Sequence, residues 1–422
     1  MSLELLQKRA TNSSELHARV IFTGLVLEKF LVYLRSTLLS EDQFVVALMQ
    51  VRGFVFFSCW SDCMNEQAIL AVLKPLLEKR YGQAPCGFSS LNTRTLDDGS
   101  IVYKMYRIEM EDSSSCICIA AHDGLPAGRT FRWETILSPR RWLEQRATLL
   151  TLLAEQHYPA PRVIPSLRGD QVISEGPWHL LLTTWITGHA GEISHEHLEL
   201  LGSVLGRLHC LPCPEEPNVG PARWNHSYSI PHALVCMEQA KEGVPPFYRA
   251  LYRQCQQTLQ TVSTYLASAP SVLIHGDCWP PNSVRVGSKE VVLIDWEGAG
   301  RGASILDFGS LVLTCQYGEG GRMPRSTDPA RVSAVVSGYR TWYHFSSAEL
   351  EILPEAVRFR IAWTGSWMIA RLAAERWSDS SEESFERIQL GLDLAGETTQ
   401  MAQACLMEDD PTSRRSRNHF VR

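Results

Sequence analysis

The spacing of apolar residues between positions 66 and 185 changes several times, and each change predicts a secondary-structure element. Leucines three to four residues apart predict a helix from Asn65 or Glu66 to Glu78. Ser138-Pro139 is typical of a helix N-terminus and predicts a second helix over Arg140–Gln156. Three strand-like runs lie between these helices, and further strands follow the second one: Phe88–Leu96, Ile101–Met110 and Cys116–Ala121, then a run ending in Leu180–Thr184.

From His195 onward the apolar spacing is mostly helical, and residues 272–297 interrupt it. Val272-Leu273-Ile274 reads as a short buried strand that ends at His275-Gly276-Asp277. Pro280-Pro281 prevents a helix here, because proline lacks a backbone N–H and restricts the residue before it. His275 and Asp277 are therefore expected on a stiff loop.

Two strand-like runs after this loop, residues 283–286 and 291–294, predict a hairpin across a turn-rich segment. Pairing Val286 with Val291 would place Asn282 opposite Asp295, with Cβ atoms roughly 5 Å apart. Two oxygen ligands beside the Asp277 carboxylate suit Mg²⁺ that holds a nucleotide phosphate, and Asp277 could orient an attacking hydroxyl. The alternative is a hydrophobic hairpin with incidental polar ends.

These residues resemble a known family. His275-Gly276-Asp277, the four-residue gap to Asn282, and Ile294-Asp295-Trp296-Glu297 are similar to the aminoglycoside phosphotransferase and choline kinase-like group of protein-kinase-like enzymes. The resemblance implies an α+β, two-lobed protein-kinase-like fold, with a small β-sheet lobe and a larger, mainly helical lobe. It also implies ATP and Mg²⁺ as cofactors and a small-molecule hydroxyl as acceptor.

The resemblance also assigns roles to individual residues. Asp277 would be catalytic with His275 in support, although histidine could also serve as a base or a metal ligand. Asn282 and Asp295 would hold the metal. Asp307-Phe308-Gly309 spells the protein-kinase metal motif, but the hairpin argument puts the metal aspartate at Asp295. Asp307 is then a structural support of the catalytic loop or a helix-start residue.

The small lobe departs from the family pattern. Its third strand, over Cys116–Ala121, lacks the lysine or arginine that normally grips the nucleotide phosphates. Lys104, or Arg132 in the strand-like Thr130–Trp133, could supply a substitute charge. The partner glutamate on the following helix is also unclear, with Arg146 near its place and Glu144 close by. Family analogy assigns the remaining nucleotide contacts to backbone at Thr184, Trp185 and Ile186.

Composition sets the broader expectations. The 422 residues carry a net charge of −6, which gives no reason to expect nucleic acid or an anionic membrane as a partner. Twelve cysteines without a regular framework, and no secretory signal, favour a cytoplasmic location with reduced thiols. We expect an extension of unclear role over 1–65, a small nucleotide lobe over 66–185, a large helical catalytic lobe over 186–405, and a disordered basic tail over 406–422.

Two functions fit these observations. The first is ATP- and Mg²⁺-dependent transfer of a γ-phosphoryl group to a hydroxyl of a small molecule. The second is a kinase-like module that binds a nucleotide or another ligand without turnover, because the strand cation is missing. The identity of the acceptor does not follow from the fold, which hosts many substrates.

Overall fold

A computed structural model describes residues 66–95, 101–123, 138–214, 219–222, 229–318, 321–374 and 380–408. The predicted extension over 1–65, Arg132 and most of the predicted tail lie outside the described residues. The chain divides into two compact units, residues 1–79 with 95–101 and residues 80–94 with 102–422. Helix α1 (Glu66–Tyr81) makes up most of what is described in the first unit.

A five-stranded antiparallel sheet forms the amino-terminal part of the second unit. Its strand order is β1-β2-β3-β5-β4, and neighbouring strands pair antiparallel over their central residues. The predicted second strand has the observed bounds, and the first and third differ from prediction by one to three residues at their ends. The strands are β1 (Pro85–Thr95), β2 (Ile101–Met110), β3 (Ser115–His122), β4 (Val172–Glu175) and β5 (Trp178–Thr184).

Helix α2 (Pro139–Glu155) lies between β3 and β4 in the chain. Ser138 caps it as predicted, because the serine hydroxyl accepts a hydrogen bond from the backbone N–H of Arg141. The buried stripe of α2 includes Leu143, Leu150 and Leu153. An apolar stripe of this kind is expected on an amphipathic helix that packs with one side against a sheet and exposes the other side to solvent.

The rest of the unit is mainly helical, and its helices surround one large apolar core. α3 packs closely on α7, and α8 packs on α4, α5, α6 and α9. The helices are α3 (His195–His209), α4 (Ser229–Ala240), α5 (Arg249–Leu266), α6 (Ser304–Thr314), α7 (Pro329–Arg340), α8 (Ser347–Ala374) and α9 (Ser380–Glu408). The last helix runs to Glu408, three residues into the segment predicted as a tail.

Two small sheets support the stretch that interrupts the helices. β7 (Val272–Ile274) pairs with β10 (Gly300–Gly302). β8 (Ser283–Val286) and β9 (Glu290–Leu293) form the predicted hairpin, and β6 (His189–Ala190) pairs with β8 on its other side.

The predicted register of this hairpin is wrong by one residue. Val286 pairs with Glu290 rather than with Val291, and Ser283 pairs with Leu293. Consequently Asn282 faces Ile294, whose N–H donates to the Asn282 carbonyl at 2.9 Å, and Asp295 is not its cross-strand partner. The turn is one residue shorter than expected, with Gly287 in the left-handed region at φ 65°.

A small antiparallel sheet and a larger helical part confirm the predicted α+β fold class. In the described ranges, no helix combines the length and the apolar character needed to cross a membrane.

Candidate active site

The loop that carries Asp277 begins where β7 ends. Gly276 has a φ of 75°, a left-handed conformation that favours glycine, and a Cβ there would meet the backbone oxygen of Gly298. A single 3₁₀ turn over Pro280–Asn282 ends the loop. The loop is therefore fixed by backbone contact with the segment after Asp295, as well as by its prolines.

Asp307, at the start of α6, binds the first residues of this loop. Its Oδ2 accepts the backbone N–H of His275 at 2.6 Å, and its Oδ1 accepts that of Gly276 at 2.9 Å. His209 Nε2 lies 3.5 Å from the same carboxylate, and all these groups are buried. Buried N–H groups need acceptors, so Asp307 satisfies two donors that the loop itself leaves without a partner.

His275 is fully buried beneath the same loop. Its Nε2 donates to the Ile294 carbonyl at 2.9 Å, and its ring lies against Trp296 at 4.7 Å between centroids. Burial lowers the pKa of His275, and this effect outweighs the opposing pull of Asp307, Asp277 and Asp295. A neutral, buried ring with one nitrogen bound to a main-chain carbonyl connects the Asp277 loop to the end of β9.

Asn282 and Asp277 are in direct contact. The amide nitrogen of Asn282 lies 3.0 Å from the backbone oxygen of Asp277 and 3.2 Å from its Oδ2. With the nitrogen used in donation, Oδ1 is the atom of Asn282 that could bind a metal. The structure therefore brings these two predicted residues together, although the cross-strand pairing that suggested a metal pair is absent.

Asp295 follows β9 with φ and ψ both 60°, in the left-handed region. Few non-glycine residues adopt this conformation, and aspartate and asparagine do so more often than the others. The Oδ1 atom of Asp295 is buried and has no hydrogen-bond partner among the described residues. An uncommon backbone conformation together with a buried carboxylate oxygen that lacks a partner is the arrangement expected where a cation binds.

The residues present therefore fit a magnesium ion. No three His, Cys, Asp or Glu side chains in the described ranges cluster as a metal site. A metal at Asp295 would draw on one carboxylate, the Asn282 amide oxygen and ligands from outside the protein. Mg²⁺ commonly binds in this way, because it keeps several waters and shares its shell with substrate phosphates.

Sequence reasoning missed Arg360, which contacts the candidate catalytic residue. Arg360 lies on α8, and its Nη1 is 2.7 Å from Oδ1 of Asp277 and 3.1 Å from the Ser310 hydroxyl. Its guanidinium carbon also lies 5.5 Å from the ring centroid of Trp279. The two residues of the ion pair are 83 positions apart, and no local pattern marks α8 as part of the site.

The two faces of the five-stranded sheet differ, and this bears on Lys104. Lys104 pairs with Ala120 and shares a face with Tyr106 and Ile108, all of which are buried. Arg107, on the opposite face, is half-buried and lies 4.6 Å over the ring of Trp185. The structure thus places Lys104 on the buried face of the sheet, opposite Ala120 of the third strand.

Residues 137–348, half of the chain, match the phosphotransferase enzyme family, APH. The chain belongs to this family. A homoserine kinase from Hyphomonas neptunium (strain ATCC 15444) is 23% identical over 232 residues, which cover 51% of this chain and 68% of the relative. The family membership confirms the resemblance read from residues 272–297.

Solved structures of several kinases and phosphotransferases share the fold. Amicoumacin kinase hAmiN, in complex with AMP-PNP, Ca²⁺ and Ami, has a TM-score of 0.57 and 15% identity, covering 80% of this chain and 95% of its own. Spectinomycin phosphotransferase APH(9)-Ia, with ADP and spectinomycin, has a TM-score of 0.54 and 13% identity over 78% and 98% of the two chains. A microcompartment-associated aminopropanol kinase scores 0.51 at 18% identity over 80% and 98%. At these identities the likeness shows a common fold.

Arg146 and Glu144, the two residues of α2 near the place where the resemblance implies a glutamate, face different surroundings. Arg146 is buried against Trp142, with its guanidinium carbon 4.6 Å from the ring, and lines a pocket with Trp296 and Glu297. Glu144 is exposed and pairs with Arg140 at 2.7 Å. Of these two residues of α2, the buried one is therefore Arg146, whereas the resemblance implies a glutamate near this place.

Proposed function

We propose that this protein transfers the γ-phosphoryl group of ATP to a hydroxyl of a small molecule. The observation that supports this most directly is the contact between Asp277 and Asn282 on a loop held by Asp307. Asp295 comes next in the chain after Ile294, which pairs with Asn282. A family of phosphotransferases provides the reaction class, and the buried Oδ1 of Asp295 provides the reason to expect a cation.

Asp277 is the residue we assign to the acceptor. A hydroxyl bound to its carboxylate would be aimed at the γ-phosphorus, and such positioning supplies much of the rate in phosphoryl transfer. The acceptor oxygen forms a bond to that phosphorus while the bond to the β–γ bridging oxygen breaks and ADP leaves. The hydroxyl proton passes to Asp277 and then to water.

Asn282 and Asp295 are the residues we assign to Mg²⁺, through Oδ1 of each side chain. When bound, the ion would neutralise charge on the nucleotide phosphates. His275 and Asp307 support the loop through the contacts described above.

For the nucleotide base we retain backbone at Thr184, Trp185 and Ile186. Lys104 remains our candidate for the charge that the third strand lacks, because it lies directly opposite Ala120 of that strand. The thermal-shift and turnover measurements below test whether the site works with this substitute.

The experiment combines binding and turnover. Purified protein is incubated with γ-labelled ATP, Mg²⁺ and a panel of small alcohols, and MgATP binding is followed separately by thermal shift. We expect a Mg²⁺-dependent rise in melting temperature with ATP, since a ligand that binds only the folded state stabilises it. We also expect labelled product from at least one alcohol.

Two variants separate the roles. Asp277→Asn should keep Mg²⁺-dependent ATP binding and lose at least about a hundredfold in turnover, because it removes the charge that faces the acceptor. Asp295→Asn should lose both. Asp393→Asn, which alters an exposed carboxylate paired with Gln389, is the matched control and should behave as wild type.

The second function has its own outcome in this experiment. Binding of MgATP without turnover on any alcohol would favour a kinase-like binding module. Absence of binding, with Asp295→Asn indistinguishable from wild type, would contradict the nucleotide site altogether.

A further inference from the structure

The ion pair between Arg360 and Asp277 says something about the acceptor. Arg360 reaches the loop from α8, and its side chain is 19% exposed while that of Asp277 is 17% exposed. The guanidinium donates to Asp277 and to Ser310, in both cases through Nη1. The charge of Arg360 thus lies directly beside the place where a hydroxyl must bind.

A guanidinium has five N–H donors in a planar fork, and two contacts through Nη1 use two of them. The donors on Nη2 and Nε are not used by these contacts. That side of a guanidinium matches the geometry of a carboxylate, with which it forms two parallel hydrogen bonds. Arg360 can therefore keep Asp277 in place through one nitrogen and bind an anion through the others.

A second cation, Arg387, shares an electrostatic neighbour with Arg360. Burial raises the pKa of Tyr317, and the charges of Arg360 and Arg387 both oppose that rise, so both arginines lie within electrostatic range of this tyrosine. Arg387 belongs to α9, so the two charges come from different helices. A cationic acceptor would meet like charge here, at a cost that grows as the site is desolvated.

We propose that the acceptor carries a carboxylate beside its hydroxyl and that Arg360 binds this carboxylate. The proposal rests on the proposed function, since it assumes that Asp277 faces the acceptor hydroxyl. Arg360 is then a residue that determines specificity.

The geometry limits the size of the acceptor. The Nη1 to Oδ1 distance is 2.7 Å, and charge-assisted hydrogen bonds to the hydroxyl and to the carboxylate would each add roughly 2.7–2.9 Å. With a further ~2 Å between Nη1 and the other guanidinium nitrogens, the two groups of the acceptor must lie within roughly 10 Å of each other, an upper limit of about seven intervening carbon atoms. Short hydroxy acids and hydroxy amino acids satisfy this condition.

The test uses three four-carbon alcohols that differ only at the far end. These are 4-hydroxybutyrate, 1,4-butanediol and 4-amino-1-butanol, which carry a carboxylate, a neutral hydroxyl and an ammonium group. Binding is measured by saturation-transfer NMR in the presence of Mg²⁺ and AMP-PNP, and turnover by release of ADP. We expect binding and turnover to be strongest with 4-hydroxybutyrate and weakest with the amine.

Variants of Arg360 separate recognition from support of Asp277. Arg360→Gln should raise the KM for 4-hydroxybutyrate by roughly ten- to a hundredfold, the range expected for a lost charged hydrogen bond. Because Arg360 also contacts Asp277, the rate should fall with all three alcohols, but the KM for 1,4-butanediol and the KM for ATP should stay within about twofold. The ratio of the 4-hydroxybutyrate KM to the 1,4-butanediol KM is therefore the readout of recognition, and Arg360→Lys should restore part of it. The control is Arg358→Gln on the same helix, since Arg358 pairs with Glu355 rather than with the loop.

Several results would overturn the proposal. Equal or better binding of 1,4-butanediol or 4-amino-1-butanol would contradict it. A fall in rate in Arg360→Gln without any change in the ratio of the two KM values would also contradict it, because Arg360 would then only support Asp277. A parallel rise in the KM for ATP would assign Arg360 to the transferred phosphoryl group instead. If AMP-PNP binds with Mg²⁺ but none of the three alcohols binds, the acceptor proposal fails and the nucleotide site stands. If AMP-PNP itself does not bind, the proposed function fails first.

Discussion

The Oδ2 atom of Asp307 lies 2.6 Å from the backbone nitrogen of His275, two residues before the candidate catalytic aspartate. The other carboxylate oxygen of Asp307 accepts the next N–H along the chain, that of Gly276. One side chain on α6 thus fixes two consecutive peptide groups of the loop. Its importance for stability can be measured separately from any activity.

Asp307→Asn should destabilise the protein by about 2–4 kcal/mol, because an amide cannot accept both N–H groups with the same geometry and leaves a buried donor without a partner. Chemical denaturation followed by circular dichroism measures this change. Asp393→Asn serves as the exposed control. A loss under about 0.5 kcal/mol, typical of a surface substitution, would show that Asp307 does not hold the loop.

A second prediction concerns the stability of a variant at Gly276, and Gly287 provides a matched control. Gly276 and Gly287 both have positive φ, at 75° and 65°, but a Cβ at Gly287 would have no atom within 4 Å. Gly287→Ala should therefore cost only the conformational penalty of about 1 kcal/mol. Gly276→Ala carries that penalty and also collides with the Gly298 backbone.

We expect Gly276→Ala to cost at least about 2 kcal/mol more than Gly287→Ala in urea denaturation, since overpacking against backbone forces the loop to move. It should also weaken MgATP binding, because the displaced segment follows Asp295 directly. Equal losses for the two alanine variants would mean that the close approach to Gly298 is not maintained in solution.

Asp295 should show opposite effects on stability and on metal binding. Without Mg²⁺, the free energy of unfolding of Asp295→Asn should equal that of wild type or exceed it by up to about 1 kcal/mol. The reason is that the substitution removes the charge of a carboxylate whose Oδ1 is buried without a partner. With Mg²⁺ and ATP the order should reverse. The measurement is urea denaturation with EDTA and with MgATP.

Asparagine is a suitable replacement because it also tolerates the left-handed backbone of position 295. If Asp295→Asn proved much less stable than wild type in EDTA, the carboxylate would have a structural role in the protein without metal. The uncommon backbone conformation and the partnerless oxygen would then need another explanation.

His275 predicts a dependence of stability on pH. Burial lowers the pKa of His275 in the folded protein below 6.5, its ordinary value in the unfolded chain. At a pH between the folded and the unfolded pKa, the unfolded chain therefore binds a proton that the folded protein does not. Stability therefore rises with pH in this window and falls as the pH drops below 6.5. The free energy of unfolding should be lower at pH 5.5 than at pH 7.5.

His275→Gln should reduce the difference between the two pH values, because glutamine can donate to the Ile294 carbonyl but does not titrate. Its stability at pH 7.5 should also be lower, since the ring packs on Trp296. His195→Gln, at an exposed position, controls for loss of a histidine. His197 and His232 also have lowered pKa values from burial and contribute equally in all three proteins.

Local patterns were sufficient for much of the fold. The strands of the sheet and helix α2 have clear apolar periods and, for α2, a serine–proline start, so their bounds could be predicted within a few residues. The hairpin register could not, because it depends on whether the turn has three or four residues. A one-residue difference moved Asp295 beyond the ladder and replaced Asn282–Asp295 pairing with Asn282–Ile294.

The site was predictable to a similar extent. Asp277, Asn282, Asp295 and Asp307 lie within 31 residues of one another, and their spacing is itself a signal. Arg360 comes from a helix with no motif, and its role depends on tertiary packing that brings α8 to the loop. The sequence suggests Lys104 as a phosphate-binding residue only through its charge. The face of the sheet that it occupies depends on the pairing of β2 with β3, which local sequence does not give.

Asn282 joins two parts of the site that are otherwise separate. Its nitrogen donates to Asp277, on the acceptor side, and its oxygen is assigned to the metal. A carboxylate at this position could bind a metal but could not donate, and a lysine could donate but could not bind a metal. Position 282 therefore requires a side chain that both donates a hydrogen bond and offers an oxygen to a metal. Aspartate cannot do both, although it differs from asparagine only in having an oxygen in place of the NH₂ group, so we expect Asn282→Asp to impair the site as much as Asn282→Ala.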